Sequence, residues 1–175
     1  KAAGVDTEYT KEQIQEYALC VSDPMYFIKN YIKIVSLDEG LVQFKPYDFQ
    51  EKILNSVHKD RFVICKMPRQ SGKSTTVISY LLHYVLFNPD KNVAILANKL
   101  STARELLGRL KLAYEHLPKW LQQGVVEWNK GSIVLENGSK ILASSTSSSA
   151  VRGGSFNLLF MDEFAFVPEN VADEF

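Results

Sequence analysis

A glycine-containing loop between two apolar segments limits the possible folds of this chain more than any other part of the sequence. The loop, residues 67–75, reads Met-Pro-Arg-Gln-Ser-Gly-Lys-Ser-Thr. Before it, Phe62–Lys66 is short, aromatic and β-branched, which predicts a strand. After it, the strongly apolar segment Lys73–Phe87 predicts a helix. A strand, a glycine-containing loop and a helix in this order are typical of a P-loop, and therefore of an α/β fold.

The rest of the chain continues this alternation of helices and strands. Helices are predicted after a capping box at Thr10–Gln13, after an Asp23 cap with Pro24 in the first turn, over Asp48–Val57, and from a Ser101 cap to about His116. Strands are predicted at Val93–Ala97, Ile133–Glu136, Lys140–Ala143 and Leu158–Met161, with a type I′ turn at Asn137-Gly138. Because these strands are apolar and do not alternate, we expect a mostly parallel central sheet with helices on both faces. We expect a small helical segment or lid over 1–45 and the α/β core over 46–175.

Composition excludes some functions and leaves others open. The 175 residues carry 20 lysines and arginines and 20 aspartates and glutamates, so the formal net charge is zero. Bulk charge therefore does not indicate a nucleic-acid partner, and any DNA contact must come from a local patch or from another part of the protein. The distant Cys20 and Cys65 predict reduced thiols, not a disulfide. The apolar stretch Val77–Phe87 is too short to span a membrane, so no membrane partner is expected.

The loop residues suit the binding of a nucleoside triphosphate. Gly72 lets backbone N–H groups turn inward around the β-phosphate, and Lys73 can reach the β- and γ-phosphates. The Ser74 hydroxyl is a candidate Mg²⁺ ligand, and the N-terminus of the following helix favours negative charge. The predicted nucleotide-binding residues of the loop are Arg69, Gln70, Ser71, Gly72, Lys73, Ser74 and Thr75. A bare Gly-Lys-Ser/Thr triplet arises by chance in about one chain in ten of this length, and Met67 stands where P-loops usually have their first glycine. The assignment therefore depends on the flanking elements.

Two carboxylates follow the last predicted strand. Asp162 at the strand tip can hold Mg²⁺, and Glu163 can orient and deprotonate an attacking water. A solvated acidic pair after a core strand is the common alternative, and it would be preferred if the P-loop were missing. Together with the loop, the pair indicates an ATPase that turns over.

Two arginines are candidates for the γ-phosphate, because a guanidinium forks onto phosphate oxygens. Arg69 lies in the P-loop, where a functional role is favoured. Arg152 precedes the last strand, and it could equally anchor the flexible Ser/Gly loop beside it.

With these motifs, the sequence resembles the large terminase subunits of tailed bacteriophages, especially those with contractile tails. The resemblance covers nearly the whole chain and depends on several segments in order: the loop Arg69–Ser74, Asn98-Lys99, Leu117-Pro118 with Trp120-Leu121, Gly124–Ile133, Ala150–Gly153 and Met161–Pro168. The family tolerates residues other than glycine at the position of Met67.

This resemblance implies a RecA-like P-loop ATPase of the additional-glutamate class, which uses ATP and Mg²⁺ to move double-stranded DNA through a portal into a procapsid. The implied partners are double-stranded DNA, the portal protein, the small terminase subunit and further copies of the chain in a ring. The implied location is the cytoplasm of the infected host cell. A glutamine ahead of the P-loop recognises adenine in this family, and Tyr47-Asp48-Phe49-Gln50 matches, so Gln50 is the candidate here. Without the resemblance, Gln50 would be taken for an exposed helix residue.

The resemblance also implies that this chain is a piece of a longer protein. The hydroxyl-rich coupling motif and a carboxylate-rich nuclease domain would follow Phe175, so DNA cleavage is not expected of residues 1–175. Two alternatives remain open. A helicase-type nucleic-acid translocase shares the glutamine, the P-loop and the acidic pair, and a nucleotide-gated assembly module would bind ATP without turnover. Glu163 argues against the second alternative.

Overall fold

A computed structural model describes residues 1–36, 38–146 and 154–166. The helices are α1 (Lys11–Ser22), α2 (Pro24–Tyr31), α3 (Asp48–Lys59), α4 (Lys73–Phe87) and α5 (Leu100–Glu115), with 3₁₀ turns at Lys119–Leu121 and Phe164–Phe166. The strands are β1 (Lys33–Ser36), β2 (Gly40–Gln43), β3 (Asn92–Ala97), β4 (Val125–Trp128), β5 (Ser132–Leu135), β6 (Lys140–Ser145) and β7 (Leu158–Asp162). The predicted α/β class is confirmed.

The larger sheet is mixed, so the expectation of a mostly parallel sheet is wrong. Its five strands run in the order β4-β5-β6-β3-β7. Strand β3 pairs in parallel with both β6 and β7, whereas β5 pairs antiparallel with both β4 and β6. The physical reason is the length of the connections. Short loops join β4 to β5 and β5 to β6, and a short loop can only return the chain antiparallel.

The loop between β5 and β6 is not the predicted type I′ turn. The Gly138 N–H donates to the Leu135 carbonyl at 3.0 Å, and in this turn only Gly138 has a positive φ, of 83°. A type I′ turn needs two residues with positive φ. The geometry is instead that of a turn followed by a left-handed glycine, which is the usual design of a slightly longer hairpin loop.

The strand predicted for Phe62–Lys66 is absent. The segment forms no ladder with any described strand, and its side chains are exposed, with Phe62 at 83% and Ile64 at 96% of their maximal accessible surface. Strand propensity reflects how well a side chain fits a pleated, half-buried surface. A paired neighbouring strand supplies that surface, and this segment pairs with no described strand.

The chain forms two compact units. The first comprises 1–5, 88–108 and 123–175 and carries the five-stranded sheet, where Phe156 and Met161 pack against the buried Ala94 and Leu96. The second comprises 6–87 and 109–122 and carries α1 to α4 with the β1–β2 hairpin. The division falls within α5. Among the described residues, no helix is both long and apolar enough to cross a bilayer.

The N-terminal elements follow their local sequence signals. Thr10 and Gln13 form the predicted capping box, and Asp23 caps α2 with Pro24 in its first turn. The β1–β2 hairpin was not predicted. The signal was present, because apolar residues flank a turn that ends in Gly40, whose φ is 73°.

Aromatic rings fill the core of the second unit around His83 of α4. Phe27 lies against Phe87 and His83, with ring centroids 5.2 and 5.5 Å apart. His83 is only 4% exposed, and its Nε2 lies 2.8 Å from the Cys20 carbonyl oxygen, to which a neutral ring donates. Burial lowers the pKa of His83 to about 4, although the hydrogen bond to Cys20 opposes the change.

Candidate nucleotide-binding site

The P-loop backbone is shaped to receive an anion. Gln70 and Gly72 both have left-handed backbones, with φ of 60° and 73°, and α4 begins immediately afterwards at Lys73. Successive N–H groups in alternating right- and left-handed conformations form a concave nest for anions. The first bond into α4 runs from the Thr76 N–H to the Gly72 carbonyl at 3.0 Å, so the loop leads directly into a helix N-terminus.

Gly72 is required on two grounds. Its φ of 73° is disfavoured for L-residues, and a Cβ at this position would lie 2.6 Å from Gln50 Nε2. A side chain at position 72 would therefore adopt a disfavoured backbone conformation and displace the Gln50 amide.

Gln50 lies against the P-loop and is 4% exposed. Its Oε1 accepts from the Tyr47 N–H at 2.9 Å, which closes a capping box at the start of α3. Its Nε2 donates to the Ser71 carbonyl oxygen at 3.2 Å. Instead of being an ordinary exposed helix residue, Gln50 joins α3 to the loop.

The Ser71 hydroxyl is the one buried side-chain polar atom without a hydrogen-bond partner among the described residues. Leaving a buried hydroxyl unpaired costs about 1–3 kcal/mol. Such an atom in the middle of an anion-shaped loop fits a loop that completes its hydrogen bonds on a polar ligand.

A cavity of about 430 Å³ opens beside Gln50. Apolar side chains on its wall come from the β1–β2 hairpin and the segment after it: Ile34, Val42 and Phe44. The other lining residues are polar or charged: Ser36, Glu39, Gln43, Lys45, Tyr47 and Gln50. A concave surface with both apolar and hydrogen-bonding groups suits a small ligand that carries both.

One arginine that the sequence analysis did not identify lies near the P-loop. The Nη1 of Arg109, on α5, lies 3.4 Å from the Thr75 hydroxyl in the first turn of α4. No local pattern could have singled it out, because 34 positions separate it from Thr75. Arg69 is exposed in the loop itself.

The acidic pair belongs to the first unit and is described within it. Strand β7 ends at Asp162, which is 8% exposed and pairs with Ala97 of β3. Ser145 of β6 lies on the other side of Ala97. The carboxyl ends of three parallel strands therefore coincide, and in open α/β sheets this is the edge where ligands bind. Glu163 follows directly, exposed and with a φ of 53°.

Some candidates lie outside this description. Arg152, the other residues of 147–153, and Val167-Pro168 fall outside the described residues. Within them, no group of three or more histidine, cysteine, aspartate or glutamate side chains is placed to hold a metal. A Mg²⁺ site of the predicted kind is different, because this ion keeps several waters and uses one or two protein ligands with substrate phosphates.

The sequence matches one family model over residues 64–174, which is more than half of the chain. The model describes the N-terminal part of the T4likevirus-type terminase large subunit. The matched range includes the P-loop, the five-stranded sheet and the acidic pair. With the left-handed loop at the start of α4 and the carboxylates at the end of β7, the match shows that this chain belongs to the T4likevirus-type terminase large subunit family, whose role is phage DNA packaging.

Proposed function

We propose that this chain is the ATP-hydrolysing domain of a DNA-packaging motor. The observation that carries the proposal is the backbone of the P-loop, with Gln70 and Gly72 left-handed and Lys73 at the first position of α4. A nest of N–H groups at a helix N-terminus, with a lysine beside it, binds phosphates by charge and hydrogen bonding together. The unpaired Ser71 hydroxyl supports a polyanionic ligand in the same loop.

Each candidate residue has a role in this proposal. Lys73 neutralises the β- and γ-phosphates, and Arg69 and Arg152 are the candidates for the charge that develops on the γ-phosphoryl oxygens. Ser74 and Asp162 are the proposed Mg²⁺ ligands, and the ion would supply further charge neutralisation when bound. Glu163 orients the attacking water and takes its proton.

The base is proposed to occupy the cavity beside Gln50. Ile34, Val42 and Phe44 provide apolar surface for a planar ring, and Gln50 offers amide hydrogen-bonding groups that suit adenine. The cavity and the P-loop share Gln50 as a common wall.

The cellular role follows from family membership. We propose that hydrolysis drives double-stranded DNA into a procapsid, with the portal protein, the small terminase subunit and further copies of this chain in a ring as partners. The setting would be the cytoplasm of the infected host. Membership of the terminase family favours this role over that of a helicase-type translocase.

Binding of Mg²⁺–ATP to the Lys73→Ala variant tests the proposal. Removal of the loop's cation should weaken binding strongly, because positioning alone cannot replace its charge. Lys66→Ala is the matched control, since Lys66 is exposed just before the loop and has no proposed role. Titration calorimetry on the wild type and both variants gives the affinities. Equal ATP affinity in the wild type and Lys73→Ala would overturn the assignment of the P-loop.

A further inference from the structure

Gln50 makes two hydrogen bonds that point in different directions. Its Oε1 accepts from the Tyr47 N–H, as an ordinary capping box requires. The same geometry occurs at α1, where Gln13 Oε1 accepts from the Thr10 N–H at 3.1 Å. What distinguishes Gln50 is the second bond, from Nε2 to the Ser71 carbonyl oxygen of the P-loop at 3.2 Å.

The second bond, to the Ser71 carbonyl oxygen, also determines the direction of the Gly72 N–H. The Ser71 carbonyl and the Gly72 N–H belong to the same peptide unit, which is planar and trans. The two groups therefore point to opposite sides of the chain. When Gln50 holds the Ser71 oxygen on its own side, the Gly72 N–H is turned to the side away from Gln50.

The tight packing at Gly72 makes this arrangement rigid. Gln50 is buried, and its Nε2 lies 2.6 Å from where a Cβ of residue 72 would be, so the amide packs directly against Gly72. A side-chain amide fixed at one end by Tyr47 and at the other by Ser71 has little freedom to move. Hydrogen bonds within the protein therefore hold the peptide between residues 71 and 72 in place.

We propose that Gln50 is a positioning residue of the phosphate site, which presets the Ser71–Gly72 peptide so that the Gly72 N–H meets a phosphate oxygen. This inference rests on the proposed function of the loop as a triphosphate site. It gives Gln50 a role that is independent of the base. Loss of the Nε2 donor weakens every triphosphate ligand, including one without a base, and a contact of Gln50 with adenine adds a further loss for ATP.

The Gln50→Met variant tests this inference, with Gln13→Met as its matched control. Each variant loses a capping-box acceptor at a helix N-terminus without a change in charge, and only the first also loses a bond to the P-loop. The ligands are Mg²⁺–ATP, Mg²⁺–GTP and Mg²⁺–tripolyphosphate, with affinities measured by titration calorimetry. Since the bond to the P-loop is lost, Gln50→Met should bind GTP and tripolyphosphate roughly 3- to 10-fold more weakly than the wild type, and ATP by at least that factor. Gln13→Met should bind them as the wild type does.

Tripolyphosphate is the decisive ligand, because it has no base and so reports on the phosphate site alone. Unchanged affinity for tripolyphosphate and GTP in Gln50→Met would overturn the inference, even if ATP affinity fell. Circular dichroism checks that the variant is folded. If it is not, the uncharged Gln50→Asn, whose side chain is one methylene shorter and cannot bridge Tyr47 and Ser71, takes its place, with the same loss expected. A wild type that binds none of the three ligands, with Lys73→Ala no different, would instead refute the proposed function.

Discussion

The buried histidine of the P-loop helix should make the protein lose stability as the pH falls. His83 has a folded-state pKa of about 4 against an ordinary value of 6.5, and burial is the main cause. Because the folded pKa is the lower one, the unfolded chain binds the proton first. The stability associated with neutral His83 is fully present above pH 6.5 and is lost as the pH falls from 6.5 towards 4.

The size of the effect follows from the two pKa values. Between them, each pH unit changes the free energy of unfolding by about 1.4 kcal/mol. From pH 7.5 to pH 5 the loss is about 2 kcal/mol, which for a chain of this size lowers Tm by about 4–8 °C. Scanning calorimetry across this range measures it.

Two variants separate His83 from the carboxylates that also titrate. His83→Phe places an uncharged ring among the aromatic neighbours Phe27 and Phe87. It leaves the Cys20 carbonyl without its donor, so it should be less stable at neutral pH by about 1–3 kcal/mol. Its stability should then fall less steeply from pH 7.5 to 5 than that of the wild type. His116→Gln, at a half-buried histidine just after α5, is the control for the loss of a histidine elsewhere in the same unit. If His83→Phe keeps the wild-type slope, His83 is not the titrating group.

The remaining predictions concern the proposed hydrolysis and are made for the protein as it hydrolyses ATP. Glu163→Gln should bind ATP normally and turn over about 10²–10⁴ times more slowly, since only the base is lost; an equal loss of affinity would make Glu163 structural or a metal ligand. Arg69→Ala should bind ATP within a few-fold of the wild type and lose roughly 10³–10⁵ in turnover. If Arg69 acts within its own subunit, mixing this variant with Glu163→Gln restores no activity; recovery would show that it acts across an interface. Gln50→Ala should relax the preference for ATP over GTP, and unchanged selectivity would remove Gln50 from the base site.

Features specified by neighbouring residues were predictable from the sequence. The capping side chains of Thr10 and Asp23 accept from backbone N–H groups no more than three positions away, so the sequence alone identifies them. Helix α4 has the predicted bounds, Lys73 to Phe87, and ends where its apolar run ends. The P-loop was predictable for the same reason, because it is recognised by residues that are adjacent in the sequence, among them Gly72 and Lys73.

Features that depend on distant partners were not predictable. The segment around Ile64 has strand composition, yet a strand also needs a neighbour, and sequence does not state which neighbour is present. The contact between Gln50 and Ser71 spans 21 positions, and that between Arg109 and Thr75 spans 34. Gln50 was identified only through the family resemblance, and its bond to the loop required coordinates. Strand order is equally non-local, which is why the sheet was expected to be more parallel than it is.

The backbone conformations supply a further argument for where the chemistry lies. Three non-glycine residues among those described have positive φ: Gln70, Asp90 and Glu163. Asp90 needs no functional explanation, because aspartate tolerates this region and its N–H is bonded to the Asn137 carbonyl in a turn. Glutamine and glutamate have no such tolerance, and the left-handed region costs them about 1–2 kcal/mol each. Backbone strain of this kind persists only where the surrounding structure imposes it, and it clusters at functional sites. Gln70 lies inside the P-loop, and Glu163 is the proposed general base after β7. Their backbone strain therefore indicates the same two functional segments as the sequence motifs do, on independent physical grounds.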